Sequence, residues 1–142
     1  MRSKSPLTLM EQLVMVLVFA LAAALCLQIF VFADQISKRN EKIDRAVLVC
    51  QNAAETIKVS SLGDAAPLLG GTFSGDILTV CYDEDWLPTE NETNYAYLLR
   101  AETIPSPVAG LGKARVWVTP SGKPEESLFE LTVAWQEVSA DE

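Results

Sequence analysis

The chain has 142 residues, a formal net charge of −8 and no histidine. This length allows one small globular domain beside a long helix, and the acidity disfavours direct binding of nucleic acid or anionic lipid through a basic patch. Without histidine, Ser-His-Asp catalysis, Cys-His catalysis and histidine-containing zinc sites are excluded, and we expect neither an enzymatic activity nor a cofactor.

An apolar run dominates the first third of the chain. From Leu13 to Ala33 every residue is apolar except Gln28, and neither Gly nor Pro interrupts the run. About 20 apolar residues with a rise of 1.5 Å each span the hydrocarbon core of a bilayer. Arg2 and Lys4 precede the run without any acid, which predicts a cytoplasmic N-terminus and an extracytoplasmic C-terminal domain.

A secretory signal peptide is the competing interpretation of a basic start followed by an apolar run. Ala22-Ala23-Ala24 is similar to the small residues that precede signal cleavage, but the apolar segment of a signal peptide is shorter than this run. We favour a membrane-spanning helix and retain the signal peptide as an alternative.

Glu11 is the only charged residue from Leu7 to Ala33. A charge at the mouth of a membrane span is costly unless something compensates it. Thr8, three residues earlier, fits a capping box, in which an acid in the first turn suits the helix dipole. That cap explains neither the basic leader nor the long apolar helix, so a further partner for Glu11 is expected.

The stretch from Lys4 to about Phe32 resembles the start of type IV pilin and pseudopilin precursors, which have a short basic leader, a cleavage point and a pattern such as Phe-Thr-Leu-x-Glu opening a long apolar helix. With Glu11 at the fifth mature position, the resemblance implies cleavage between Pro6 and Leu7 and N-methylation of Leu7. It also implies that Glu11 pairs with that amine on a neighbouring subunit. Pro6 stands where the family has Gly, and its fixed φ changes the backbone that a peptidase would grip.

The resemblance implies a structural subunit, a minor pilin or pseudopilin, of a type IV pilus, type II secretion or competence-type filament. Its implied partners are other pilins through the apolar helix, a prepilin peptidase and, indirectly, an assembly platform protein and an ATPase. Two alternatives stay open: an uncleaved single-pass membrane protein that presents a binding or adaptor domain, and a secreted enzyme. The three predict different mature N-termini, namely Leu7, Met1 or a residue beyond the apolar run.

After Ala33 the helical periodicity continues among polar residues. Apolar residues recur at spacings of three, four and seven, which predicts one stripe along a helix: Ile36, Ile43, Val47, Cys50, Ala54 and Ile57. We predict a single helix from about Leu7 to Val59, roughly 80 Å long. A coiled coil is the alternative, but the stripe lasts only about three heptads, and we favour packing against a β region of the same chain.

The helix is predicted to end near Gly63, which would serve as its C-terminal cap, and residues 64–75 are predicted to be a connecting loop. Four strand-like segments bounded by turn residues follow: approximately Asp76 to Tyr82, Tyr95 to Thr103, Lys113 to Thr119 and Leu128 to Glu137. Their short connections predict an antiparallel meander.

The predicted fold class is therefore α+β, pilin-like, with a long N-terminal helix packed on a four-stranded antiparallel sheet. The predicted organisation is a leader peptide at 1–6, a transmembrane half of the helix at 7–33, an amphipathic half at 34–60 and an extracytoplasmic β-sheet domain at 61–142.

The sequence also contains two weaker candidate sites. Asp83, Glu84 and Asp85, with Glu90 and Glu92 beyond them, offer oxygen ligands for Ca²⁺ but lack the spacing of an EF-hand, so a solvated acidic turn is the favoured interpretation.

Cysteine pairing is the second weak candidate. Cys50 and Cys81 would form a disulfide in an extracellular domain, but strand alternation puts Cys81 on the face opposite Val80 and its apolar neighbours, away from the helix and Cys50. Cys26 is predicted to be a small apolar residue of the span.

Overall fold

The computed structural model describes residues 5–137, so the first four residues of the predicted leader and the last five of the chain lie outside the described residues. The elements are α1 Ser5–Val59, α2 Leu62–Leu69, β1 Thr72–Ser74, β2 Ile77–Tyr82, β3 Tyr97–Thr103, β4 Leu111–Pro120 and β5 Phe129–Gln136. The α+β class is confirmed, with five strands rather than four. The chain divides into two compact units between Asn40 and Glu41.

The long helix α1 has close to its predicted extent, because residues 7–59 contain neither Gly nor Pro. Pro6 is the second helical residue, where a missing N–H costs no intrahelical hydrogen bond. Within the second unit, α1 buries Ala46, Cys50 and Ile57 with two further alanines in a core shared with the sheet. The prediction that the helix packs against the β region of its own chain is confirmed for these turns of α1. Ile36, which belongs to the first unit, is 44% exposed.

A second helix, α2, replaces the predicted loop after α1. Its buried residues are Leu62, Ala65, Ala66 and Leu69, the i, i+3, i+4, i+7 pattern of a helix face packed on a core. Ser61 is its N-cap and accepts a 3.3 Å hydrogen bond from the Asp64 N–H. The predicted cap at Gly63 is wrong, because Gly63 lies inside α2. The long helix α1 instead ends at Val59, and Gly70, at φ 71°, is the C-cap of α2, where a residue without Cβ is favoured.

The strand that the sequence analysis missed, β1, pairs with β2 across a two-residue turn. Ser74 is opposite Ile77, and both turn residues have positive φ, Gly75 at 59° and Asp76 at 64°, as a tight hairpin turn requires. The strand order β1-β2-β3-β4-β5, with every pair antiparallel, confirms the meander. The four predicted strands lie within two residues of β2 to β5 at every end.

The sheet has two chemically different faces. The inner face contributes to the core, with members such as Leu78, Val80, Leu99, Ala101, Val116 and Val118. The alternating residues form the opposite face, here called the outer face, which includes Thr79, Cys81, Arg100, Glu102, Lys113, Arg115, Trp117 and Glu130. Each fully buried Leu or Val on the inner face contributes about 1.5–3 kcal/mol to folding.

Candidate functional site: the exposed apolar segment of α1

The first unit presents an apolar helix with no covering layer among the described residues. Every residue from Ser5 to Lys42 is exposed, and bulky side chains such as Phe19 and Phe30 are 76% and 74% exposed. An 18-residue window has a mean hydropathy of 2.8, and none of it is buried. Residues 5–137 therefore contain one helix, near the N-terminus, that is long and apolar enough to span a membrane.

Glu11 lies within the exposed apolar part of this helix. Because α1 begins at Ser5, Glu11 is its seventh residue, and the first turn contains no acid. Thr8 is helical as well, whereas an N-cap residue has non-helical dihedral angles. The capping-box interpretation is therefore wrong for the chain that includes Ser5 and Pro6.

No cation on the same part of α1 can neutralise Glu11. Residues 5–37 contain neither Lys nor Arg, and the first base, Lys38, forms a 2.9 Å ion pair with Asp34 one helical turn away. This exposed pair marks the end of the apolar run. Within the described part of the first unit, Glu11 is thus a lone negative charge on an apolar helix, which is costly wherever water is excluded.

The peptide bond at the predicted cleavage point belongs to α1. Pro6 and Leu7 are the second and third residues of the helix, so this bond lies in the first helical turn. The backbone at the predicted cleavage point is therefore helical rather than extended.

The acidic turn after β2 is built around Asp83. The Asp83 carboxylate accepts backbone hydrogen bonds of 2.9 Å from both Asp85 and Leu87, and the Asp83 N–H donates to the Leu87 carbonyl at 3.0 Å. Trp86, inside this turn, has a positive φ of 63° and stacks on Tyr97 with ring centroids 3.8 Å apart. Asp83 therefore closes a turn.

The calcium candidates are not brought together around a common centre. Glu84 and Asp85 are exposed, and among residues 5–137 no group of three or more Asp, Glu, Cys or His side chains is arranged to hold a metal ion.

All three cysteines are free thiols. Cys50 is fully buried in the core, whereas Cys81 is on the outer face, where it lines a groove with Thr79 and Pro88. The structure thus does not join Cys50 to Cys81, because Cys50 of α1 belongs to the core with the inner-face residues, whereas strand alternation puts the Cys81 side chain on the outer face. Burial raises the pKa of the Cys81 thiol, which lowers its reactivity at neutral pH.

One cluster was missed by the sequence analysis, namely Arg115 and Trp117 on the outer face. The guanidinium carbon of Arg115 lies 5.0 Å from the Trp117 ring centroid, and its Nη2 lies 2.7 Å from a Glu130 carboxylate oxygen. The signal was present in the alternation of β4, where Lys113, Arg115 and Trp117 occupy successive positions of one face.

Comparisons of the chain with protein-family models, with curated proteins and with solved structures gave no match in any of the three. What α1 and the sheet can do is therefore inferred from their residues and geometry.

Proposed function

We propose that this chain is a structural, non-enzymatic subunit of a type IV pilus-type filament, as a minor pilin or pseudopilin. One observation carries the proposal: α1 presents a long, fully exposed apolar segment in which Glu11 is the only charge, and its later turns are part of the core of a small sheet domain. In the precursor the apolar segment spans the cell membrane, with the N-terminus cytoplasmic and the sheet domain outside.

Assembly would exchange lipid for protein around the apolar segment. Cleavage between Pro6 and Leu7 creates a new amine at Leu7, which is then methylated. Residues 7–37 of the cleaved chain contain neither Lys nor Arg, and in the assembled filament the methylated Leu7 amine of the adjacent subunit neutralises Glu11. A charge-assisted hydrogen bond between the two is strong where water is excluded.

The partners under this proposal are of three kinds. Other pilins pack against the apolar segment, a prepilin peptidase acts at Leu7, and the platform protein and ATPase of the assembly machine act indirectly. Small-residue positions such as Ala20 and Ala23 suit close helix packing in a filament core, since they let backbones approach.

The second candidate is a permanently anchored single-pass protein that presents its sheet domain as a binding or adaptor module. The observation that favours it is Pro6, which is well placed as the second residue of a helix but departs from the Gly that the pilin pattern has before the cut. In that case Met1 to Pro6 would remain attached and the apolar segment would stay in the bilayer.

N-terminal processing separates the two candidates. Intact mass and N-terminal peptide mapping are measured on the full chain from host cells with and without the prepilin peptidase. We expect a peptidase-dependent product that begins with N-methylated Leu7, and faster cleavage in Pro6→Gly, because Gly frees the backbone. An unchanged leader in both strains, for the native and the Pro6→Gly chain alike, would exclude the filament subunit and leave the anchored module.

Removing the charge of Glu11 tests the assembly step directly. Glu11→Gln keeps the size and polarity of the side chain but cannot form an ion pair, so we expect the fraction of chain recovered in sheared filaments to fall at least about tenfold. Membrane insertion should be unchanged. Glu41→Gln removes an exposed acid from the same helix and serves as the matched control; equal recovery of the two variants would refute the assigned role of Glu11.

A further inference from the structure

The basic residues of the sheet domain are concentrated on one surface. Residues 60–137 contain four bases, of which three, Arg100, Lys113 and Arg115, lie on the outer face and only Lys123 lies elsewhere. The outer face also carries two acids, Glu102 and Glu130, whereas the rest of these residues contain ten acids. The outer face is thus a cationic region on an otherwise strongly acidic domain.

Arg115 and Trp117 form a fixed centre on this face. Arg115 contacts Glu130 at 2.7 Å and Glu102 at 4.0 Å, while its guanidinium lies over the half-buried ring of Trp117. Because three groups hold it, Arg115 loses little conformational entropy when a partner approaches. Trp and Arg are also the residue types most often found at the energetic centre of protein interfaces.

Two cations flank this centre without a counter-ion. Arg100 is directly opposite Trp117 in the β3–β4 register and is exposed, and Lys113 precedes Arg115 by two positions on the same face. Neither forms an ion pair with any residue between Ser5 and Glu137. The face therefore offers two cations without an ion pair, Arg100 beside the Trp117 ring and Lys113 on the other side of Arg115, which suits an acidic partner.

The same chain supplies acids in the connection between β2 and β3, of which Glu90 and Glu92 line a groove with Thr79 and Cys81 of the outer face, whereas Glu84 and Asp85 do not line it. Residues 83–92, here called the acidic stretch, contain five acids and no base. The turn that begins the stretch is held by Asp83, which leaves Glu84 and Asp85 exposed on a defined backbone. No ion pair within the described residues joins the acidic stretch to Arg100 or Lys113.

We propose that the outer face of one copy docks on the acidic stretch of a second copy, with Arg100 and Lys113 facing Glu84 and Asp85 and with Trp117 at the centre. Glu84 and Asp85 belong to a turn and not to the outer face, so the contact joins two different surfaces head to tail and repeats without closing unless the rotation forms a ring. This inference deepens the proposed function, because it names a contact between the sheet domains of successive subunits, and it rests on that function only for its place in a filament.

Charge reversal on each surface tests the contact. Self-association of the full chain in non-ionic detergent is measured by sedimentation velocity for the native chain, for Arg100→Glu with Lys113→Glu, and for Glu84→Lys with Asp85→Lys. We expect each double variant to self-associate at least about tenfold more weakly than the native chain. An equimolar mixture of the two variants should regain association, because the reversed charges are again complementary.

A matched variant controls for net charge. Lys58→Glu with Lys123→Glu makes the same change in charge at two exposed positions outside the outer face and should leave association within about twofold of the native chain. The contact is refuted if this control weakens association as much as Arg100→Glu with Lys113→Glu, here called the outer-face variant. It is also refuted if the outer-face variant and Glu84→Lys with Asp85→Lys do not associate when mixed. Binding of a single-stranded DNA oligonucleotide or of anionic vesicles by the native chain, lost in the outer-face variant, would assign the face to another occupant and would also overturn it.

The docking contact and the filament-subunit function can be refuted independently of each other. Normal filament entry of the outer-face variant, together with unchanged sedimentation, would remove the docking contact and leave the filament subunit. Charge-dependent association in detergent without any processing at Leu7 would remove the filament subunit and leave the contact.

Discussion

Gly112 shows how closely single residues are fitted in the sheet. A Cβ at this position would lie 2.3 Å from Cε2 and 2.5 Å from Nε1 of Trp135, distances that no real contact tolerates. The indole of Trp135 lies on β5 directly opposite Gly112 on β4, so the ring covers the backbone that a side chain would otherwise occupy. The pair stabilises the sheet only while Gly112 lacks a side chain.

We therefore expect Gly112→Ala to destabilise the sheet domain by about 1–3 kcal/mol, since the indole must leave its position to admit a methyl group. Urea denaturation of the full chain in detergent, followed by tryptophan fluorescence, measures the change. Gly63→Ala is the matched control, because its Cβ would lie 3.7 Å from the Phe73 ring and alanine favours the helical conformation of α2 by up to about 1 kcal/mol. Equal effects of the two substitutions would contradict this account of Gly112.

At the scale of elements, the β2–β3 connection depends on one carboxylate. Asp83 accepts hydrogen bonds from two backbone N–H groups, and the turn holds Trp86 at positive φ against Tyr97. A residue other than Gly at positive φ costs free energy, and the ring stacking offsets part of that cost.

Asp83→Ala should destabilise the sheet domain by about 1–3 kcal/mol, because two backbone donors lose their acceptor. Asp85→Ala, which removes an exposed acid from the same turn, should change the unfolding free energy by less than about 0.5 kcal/mol. Thermal unfolding with and without added Ca²⁺ checks both. Stabilisation by Ca²⁺ that disappears in Asp85→Ala would show instead that the turn is a cation site.

The sequence was informative about some elements and not others for identifiable reasons. The extent of α1 was predictable because no Gly or Pro breaks its periodicity, and β2 to β5 were predictable because they alternate between turn residues. Helix α2 was missed because Pro67 and three glycines indicated a loop, although the spacing of Leu62, Ala65, Ala66 and Leu69 indicates a helix face. Tertiary burial of that face outweighed the cost of Pro67. Strand β1 was missed because it has only three residues, although Gly75-Asp76 is a hairpin turn signal.

The candidate site was predictable in composition but only partly in geometry. The apolar run and the isolated Glu11 are visible in the sequence. The helical conformation of Thr8 is not visible in the sequence. Threonine occurs both as an N-cap and inside a helix, and the two positions differ only in their backbone dihedral angles. The outer-face cluster depends on pairing between strands, since Arg115 meets Glu102 and Glu130 from two neighbouring strands, and single-strand patterns do not fix such a register.

At the scale of the molecule, the stability of the sheet domain should depend on alkaline pH. Burial raises the pKa of Tyr82 from 10.0 to about 12, and burial also raises the pKa of Tyr97. A raised pKa means that the folded state holds its proton where the unfolded state loses it. The stabilisation is therefore complete below pH 10 and is lost as the pH rises through 10 toward 12.

Burial also raises the pKa of the Cys50 thiol from 9.0 to about 12, so we expect the unfolding free energy of the native chain to begin to fall above pH 9 and to fall more steeply above pH 10. Tyr82→Phe should make the fall above pH 10 shallower, because one group fewer releases a proton on unfolding. Urea denaturation at several pH values between about 8 and 12 provides the measurement. Tyr95→Phe, the same change at a neighbouring position, is the control. If the unfolding free energy of Tyr82→Phe fell with pH as steeply as that of the native chain, Tyr82 would not be a source of the pH dependence.

The three tryptophans of the chain, Trp86, Trp117 and Trp135, occupy three different surroundings: a turn where one ring stacks on Tyr97, the outer face beneath Arg115, and a position against Gly112. The emission of each indole depends on its own neighbours. Chains that retain a single tryptophan would therefore give three local optical signals, one for loosening of the turn, one for occupation of the outer face and one for opening of the β4–β5 pair. The molecule thus contains the spectroscopic probes needed to tell local changes from global unfolding without any added label.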